Sequence, residues 1–243
     1  MSKPSGAIDM TQGKPINLML RFALPMMIGS IFQSLYSMVD SAVLGRFVGS
    51  HALAAIGATT STTGLILLLA TGVTSAISIV LSQYVGANDT DRVRKGIVAS
   101  GWITLLLGVV LGLISVFAAR PLMQLLKTPE DVIDMSVLYI QIVCGCGIAQ
   151  FAYNAAASIL RALGDSKTPL YFLILCSILN VILDLISVIG LNMGVAGVAV
   201  ATVGSQAISA AICILVMFRK YPDLMPKRHT LRPDMPVSLK IFG

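Results

Sequence analysis

Two aspartates lie inside long apolar stretches of the chain. Asp40 falls in QSLYSMVDSAVLG and Asp184 in CSILNVILDLISVIG, whereas the other acidic residues fall in polar loops and tails. A carboxylate within hydrocarbon costs several kcal/mol unless it is paired, hydrated or protonated. A chain that keeps two such residues is therefore predicted to use them to carry ions or to bind a substrate.

Polar residues accompany both aspartates at helical spacing. Gln33, Tyr36 and Asp40 are three and four residues apart, so they share one helix face. Asn180 precedes Asp184 by about one turn in a second such row. Further members of these rows, and of rows in two other apolar segments, are Ser37, Ser177, Ser187, Gln150, Asn154, Ser158, Thr202, Ser205, Gln206 and Ser209. Because hydrocarbon offers no hydrogen-bond partners, the rows should face one another or a wet cavity.

These polar residues also have a purely structural explanation. Ser, Thr, Asn and Gln can bond neighbouring helices together, and the aspartates could lie near the membrane interface. Asp40 is five residues before Gly45 and Asp184 is six before Gly190, which is about 8–9 Å from each predicted helix end. Because an aspartate side chain is short and cannot reach far toward water, we favour a functional pair.

A buried pair of carboxyl groups can exchange a proton, because burial and a nearby second carboxylate both disfavour the charged form. Oxygens of Asp40, Asn180, Asp184 and Thr202 would also suit a hard cation such as sodium. The residues alone do not choose between the two ions. The sequence has no nucleophile with a base, no phosphate loop and no His/Cys cluster, so we expect neither an enzyme nor a cofactor.

The composition is that of an integral membrane protein. The chain is 56% hydrophobic and 12% charged, with a mean hydropathy of +0.88, whereas soluble domains are about 25% charged. No alternation with a period of two recurs, so helices are the expected spanning elements. An all-α fold with six transmembrane helices is predicted over residues 16–45, 52–85, 96–119, 133–160, 168–190 and 194–218.

Lys and Arg are unevenly distributed between the two ends of these segments. Fourteen of the 17 lie in the N-terminal stretch, the second and fourth loops and the C-terminal tail, and the other three are Arg46, Arg120 and Lys127. The positive-inside rule then places both termini in the cytoplasm of a multi-pass protein of the cell membrane. This placement accounts for the net charge of +6. Membrane lipid is therefore an expected partner, and nucleic acid is not.

The chain divides into a predicted lobe, residues 1–220, and a tail, residues 221–243. The tail reads as a cytoplasmic linker with four prolines, and its last residues, VSLKIFG, resemble the start of another helix. Within the lobe, Pro25 predicts a kink in the first helix, because proline removes a backbone hydrogen bond. The kink is either a static bend or a hinge on the helix that carries Asp40.

Several stretches together resemble the amino-terminal half of the multidrug and toxic compound extrusion (MATE) family. They are FALPMMIGSIFQSLYSMVDSAVLGRFVG (22–49), SQYVGANDTDRVRKG (82–96), RALGDSKTP (161–169), and NVILD (180–184) together with MGVAGVAVAT (193–202). The resemblance implies one six-helix lobe of a twelve-helix transporter. It also implies a secondary active antiporter that exports small amphiphilic or cationic compounds, such as drugs and toxins, in exchange for proton or sodium entry.

The resemblance further implies roles for single residues. It places coupling-ion binding, and a sodium site if sodium is the ion, at Asp40, Asn180, Asp184 and Thr202. It places the wall of a substrate cavity at Gln33, Tyr36, Tyr139, Asn154 and Ser177. Bending of the first helix is expected at Pro25.

Two other functions stay open at this point. One is a lipid-linked glycan flippase of the same superfamily, and the other is a non-transporting half-transporter fragment. A flippase cavity tends to need positive charge for a phosphate headgroup, and no Lys or Arg lies mid-span, which favours the exporter. Because family members have a second six-helix lobe, we expect either a truncated chain or a half-size protein that pairs with itself or a partner.

The charge distribution predicts that position 125 is extracellular and position 90 cytoplasmic. Single cysteines placed at Leu125 and Thr90 in a cysteine-free variant would be treated with a membrane-impermeant maleimide in intact cells. We expect labelling at position 125 at once, and at position 90 only after permeabilisation. The reverse pattern would contradict the predicted topology.

Overall fold

The computed structural model describes residues 15–224 and consists of helices joined by short turns. Its α-helices are α1 (Pro15–Phe47), α2 (Ser50–Gly86), α3 (Thr90–Leu125), α4 (Glu130–Gly145), α5 (Ile148–Ala162), α6 (Lys167–Asp184) and α7 (Gly194–Lys220). A π-helical turn, Leu185–Gly190, continues α6, and a 3-10 turn, Pro222–Leu224, follows α7. The all-α class is confirmed.

Four helices of the described region are long and apolar enough to cross a membrane. They are α2, α3, α7 and α6 with its π-helical turn, and α4 with α5 would count as a fifth, bent span. Helix α1 is not among them. With its 33 residues, α1 is about 50 Å long. Together with the four spans and the bent α4–α5 pair, α1 gives one helical element for each of the six predicted segments.

The predicted spanning segment 133–160 consists of two helices, α4 and α5, rather than one. The helical conformation is interrupted between Gly145 and Ile148, and the axes of α4 and α5 differ by 44°. Glycine is a weak helix former, and Gly145 and Gly147 flank the break. Helix α3 also packs directly on it, since a Cβ on Gly112 would lie 2.9 Å from the Gly145 carbonyl oxygen. Local propensity and tertiary contact therefore act at the same place.

Helices α5, α6 and α7 form the half of the lobe that holds the polar rows. Helix α7 packs against both α5 and α6, and α1 lies along α6. On the other side, α2 and α3 join α5 and α7 in an apolar core around Ile77, Leu81 and Leu160. This core also buries Tyr221 and Leu224, so the packed part of the lobe extends to Leu224.

Two glycines of α3 allow the close approach of α4 and α5. A Cβ on Gly108 would lie 3.1 Å from the Ile148 Cα, and one on Gly112 would meet the Gly145 carbonyl oxygen. Both neighbours are backbone atoms, which cannot turn aside as a side chain can. The exposed Gly101, two turns earlier on the same helix, has no atom within 4 Å of such a Cβ.

We expect Gly112→Ala to destabilise the lobe by about 1–3 kcal/mol, because the added methyl overpacks a backbone contact. Gly101→Ala is the matched control and should be neutral or stabilising by up to about 1 kcal/mol, since alanine is the better helix former. Thermal unfolding of the purified variants in detergent would measure both. Equal midpoints would show that the α3 contact is not tight.

Candidate functional site

Helices α1 and α6 bring the two sequence-predicted aspartates together. Asp184 is the last residue of α6 and Asn180 lies about one turn before it. Both are fully buried, at 0% and 1% exposure. Asp40 reaches them from α1, and the carboxyl groups of Asp40 and Asp184 are close enough to interact electrostatically.

The carboxyl groups of Asp40 and Asp184 are close enough to share a proton. When both are ionised, five buried polar atoms of this pair and its neighbour have no hydrogen-bond partner among the described residues. They are both carboxyl oxygens of Asp184, both side-chain amide atoms of Asn180, and Oδ1 of Asp40. Buried polar groups in folded proteins are nearly always bonded. A proton would turn one carboxyl into a donor, and a sodium ion would take up several oxygens at once. The cluster therefore has the chemistry of an ion site.

Immediately after Asp184, α6 continues as a wider, π-helical turn. The Leu191 amide donates to the Ile186 carbonyl oxygen at 2.9 Å, five residues back. Gly197 of α7 fits closely against the turn, because a Cβ there would lie 3.1 Å from the Cβ of Ser187. Such turns occur mostly as single turns and often at functional sites. The apolar stretch LISVIG gives no indication of a π-helical turn.

Thr202, the fourth predicted ion ligand, is buried on α7 near the level of Asp184. Thr202 lies between Gly197 and Gly204 on α7. Gly197 packs against Ser187 and Gly204 packs against Leu183, so this part of α7 runs alongside Asp184. The Thr202 hydroxyl donates to the Val198 carbonyl oxygen at 2.9 Å. Only its oxygen lone pairs are thus free to face an ion.

Two tyrosines adjoin the aspartates. Tyr36 of α1 and Tyr139 of α4 are both close enough to Asp40 to interact with it electrostatically, and Tyr139 also interacts with Asp184. Tyr139, predicted as part of the substrate cavity, thus lies beside the two aspartates and is not among the residues that line the cavity described below. Ser177 is buried on α6, where its hydroxyl donates to the Leu173 carbonyl oxygen at 2.9 Å.

A cavity of about 180 Å³ opens beside this site, between α1, α5 and α6. Three of the predicted cavity residues line it: Gln33, Tyr36 and Asn154. Pro25 lines it too, so the predicted bend of α1 lies at the cavity wall. Helix α1 remains helical through Pro25.

Sequence reasoning missed one charged residue of the cavity. The predicted segment 133–160 leaves Arg161 in the loop that follows it, but Arg161 lies in the last turn of α5, is half-buried and lines the cavity. Its Nη2 donates to the Ser158 hydroxyl at 3.0 Å. The signal was present, because Gln150, Asn154, Ala157 and Arg161 are spaced by four, three and four residues and all line the cavity.

The loop between α5 and α6 is fastened to the end of α7 through Asp165. Lys220 Nζ donates to Asp165 Oδ2 at 2.6 Å, and the Thr168 hydroxyl and backbone amide donate to the same carboxylate. Burial alone would raise the pKa of Asp165, but the hydrogen bonds from Lys220 and Thr168 outweigh it and hold the pKa below its ordinary value. The carboxylate is therefore ionised and paired. Burial and the negative Asp165 raise the pKa of the nearby Tyr221 hydroxyl.

Comparison with known proteins decides the family. The MatE family model matches residues 25–186, which is more than half of the chain. The chain belongs to the MATE family. It is 34% identical over 205 residues to the probable multidrug resistance protein YpnP of Bacillus subtilis, covering 84% of this chain and 46% of that protein. It is 23% identical to the multidrug export protein MepA of Staphylococcus saprophyticus, covering 92% and 50%.

The fold agrees with a solved MATE transporter. The structure of an outward-facing multidrug resistance MATE family transporter of the MOP superfamily matches with a TM-score of 0.88 and 26% identity, over 95% of this chain and 51% of that one. This MATE chain thus has the fold of one lobe, and it spans about half the length of the curated relatives it matches. Its apolar helices and its relatives identify it as a multi-pass membrane protein of a transporter family.

Proposed function

We propose that this chain is one lobe of an antiporter that exports small amphiphilic or cationic compounds and couples export to proton or sodium entry. The ion site is the cluster of Asp40, Asn180, Asp184 and Thr202. The observation that carries the proposal is the set of partnerless buried atoms on three of these residues. A bound ion supplies the missing partner and removes the repulsion between the two carboxylates.

Helix α1 is the element that couples ion and substrate. It carries Asp40 toward one end and Gln33, Tyr36 and Pro25 along the cavity. Ion binding at Asp40 changes how α1 packs on α6, and the same helix forms part of the substrate wall. Export follows if the ion-bound and ion-free packings of α1 open the cavity to different sides.

A second six-helix lobe is the expected partner, either from the same longer protein or from a second copy. Exposed to lipid, the polar cavity wall with Gln33, Gln150 and Gln206 would lack hydrogen-bond partners. Alternating access also needs two bodies that move about one site. In the cell membrane we place the α5–α6 loop and both termini on the cytoplasmic side, according to the charge distribution. The multidrug names of relatives favour export over lipid-linked glycan flipping.

We expect Asp40→Asn and Asp184→Asn each to abolish coupled export while the protein is still made and inserted. The reason is that an amide cannot exchange a proton and holds sodium weakly without a negative charge. Export of a fluorescent cation from vesicles, with a pH gradient and a sodium gradient imposed separately, would measure it. The matched control is Asp91→Asn, which removes a carboxylate from an exposed pair with Lys95. Export at the parental rate by either variant would refute the site.

Pro25→Ala should slow turnover and leave substrate affinity largely unchanged. Alanine restores a backbone donor in α1 and stiffens the helix, but it touches neither aspartate. Turnover and equilibrium binding of the same fluorescent substrate would separate the two effects. Parental turnover would show that Pro25 is a static feature of α1.

A further inference from the structure

Arg161 places a positive charge in the wall of the cavity. Its guanidinium is half-buried in the last turn of α5, and its hydrogen bond goes to the neutral Ser158 hydroxyl. Among residues 15–224 none of the ion pairs includes it. A partly buried charge without a counter-charge is costly, so its retention on the cavity wall calls for an explanation.

The nearest acidic residue along the chain cannot serve Arg161. Asp165 lies four residues further on, but its carboxylate is bonded to Lys220 and Thr168 and receives the Tyr221 hydroxyl at 3.3 Å. The pair with Lys220 neutralises it. Arg161, in the last turn of α5, therefore lines the cavity, whereas Asp165, in the loop that follows, is paired with Lys220 and is not among the lining residues.

A hydroxyl without a hydrogen-bond partner lies at the same end of the cavity, because Arg161 and Ser166 flank the α5–α6 loop. Ser166 lines the cavity and is 4% exposed, and its hydroxyl has no hydrogen-bond partner among the described residues. The Tyr153 hydroxyl in the same lining is already engaged, because it donates to the Pro169 carbonyl oxygen at 3.1 Å. A guanidinium and an unpartnered hydroxyl in one cavity lining are a donor set suited to an anion.

The remaining wall suits the body of an amphiphile. Met26, Leu170 and Leu173 give it an apolar surface, and the amide groups of Gln33 and Gln206 lie in the same lining. An aromatic or aliphatic skeleton could pack on the apolar part while a charged group reached Arg161.

We propose that Arg161 and Ser166 form an anion subsite that binds the carboxylate of zwitterionic amphiphilic substrates. The inference rests on the proposed export function and narrows its substrate class. The transporter should prefer a zwitterion with a free carboxylate over the cationic ester of the same compound. Arg161 is then a specificity-determining residue rather than part of the ion-coupling site.

Tetramethylrhodamine and its methyl ester form a matched probe pair, because they differ only in a free carboxylate. Binding would be measured by fluorescence polarisation with the full-length transporter in phosphatidylcholine nanodiscs. Arg161→Gln should weaken binding of the acid about tenfold and leave binding of the ester within about twofold. Ser166→Ala should also weaken binding of the acid, but by a smaller factor than Arg161→Gln.

Lys167→Gln is the matched control, since it removes the same charge from an exposed residue outside the cavity lining. Acid binding unchanged in Arg161→Gln and Ser166→Ala, with both dyes still bound and exported, would overturn the subsite but leave the export function standing. A loss of affinity for both dyes in Arg161→Gln would assign Arg161 a structural role instead. Failure of the parent protein to bind or export either dye would overturn both proposals.

Anionic lipid provides the remaining arm, because a lipid phosphate offers the same chemistry as a substrate carboxylate. Nanodiscs that contain phosphatidylglycerol would be compared with pure phosphatidylcholine. We expect the transporter to bind the acid more tightly than the ester in both kinds of nanodisc. Its loss in phosphatidylglycerol alone would assign the subsite to a lipid headgroup and overturn the substrate assignment.

Discussion

The lobe depends on one constraint, which is that hydrocarbon offers no hydrogen-bond partners to polar side chains. Most hydroxyls in the spans meet it within their own helix, as Ser34 does with the Ser30 carbonyl oxygen and Thr74 with that of Ala70. Asp184 and Asn180 do not meet it, although they are among the most deeply buried residues. The proposed ion site rests on these unpartnered groups.

The helices around this cluster are arranged to bring it together. Helix α1 lies along α6, the π-helical turn begins directly after Asp184, and Gly197 lets α7 approach that turn closely. At the other end of the cavity, the pair of Asp165 and Lys220 ties the α5–α6 loop to the end of α7. Helix α1 therefore joins the cluster of Asp40, Asn180 and Asp184 to the cavity, and α5, α6 and α7 contribute the rest of the cavity lining.

Hydropathy and residue spacing were enough to predict the helices and the two central aspartates. Long apolar stretches must be helical in a membrane, and a lone carboxylate within them stands out in any sequence. Hydropathy did not predict the break at Gly145–Ile148 or the π-helical turn after Asp184, because both stretches are apolar and both also involve close contacts with a glycine of another helix. Arg161 was misplaced because a basic residue near a helix end looks like loop charge, and only the cavity distinguishes it.

Infrared difference spectroscopy tests most directly whether Asp40 and Asp184 bind the coupling ion. Spectra of the purified full-length transporter would be recorded between acidic and neutral pH, and with and without sodium. We predict a carboxyl band that responds to one of the two ions, that is lost in Asp40→Asn or Asp184→Asn, and that persists in Asp134→Asn, whose side chain is 77% exposed. An identical ion response in the parent protein and in both central variants would contradict the account.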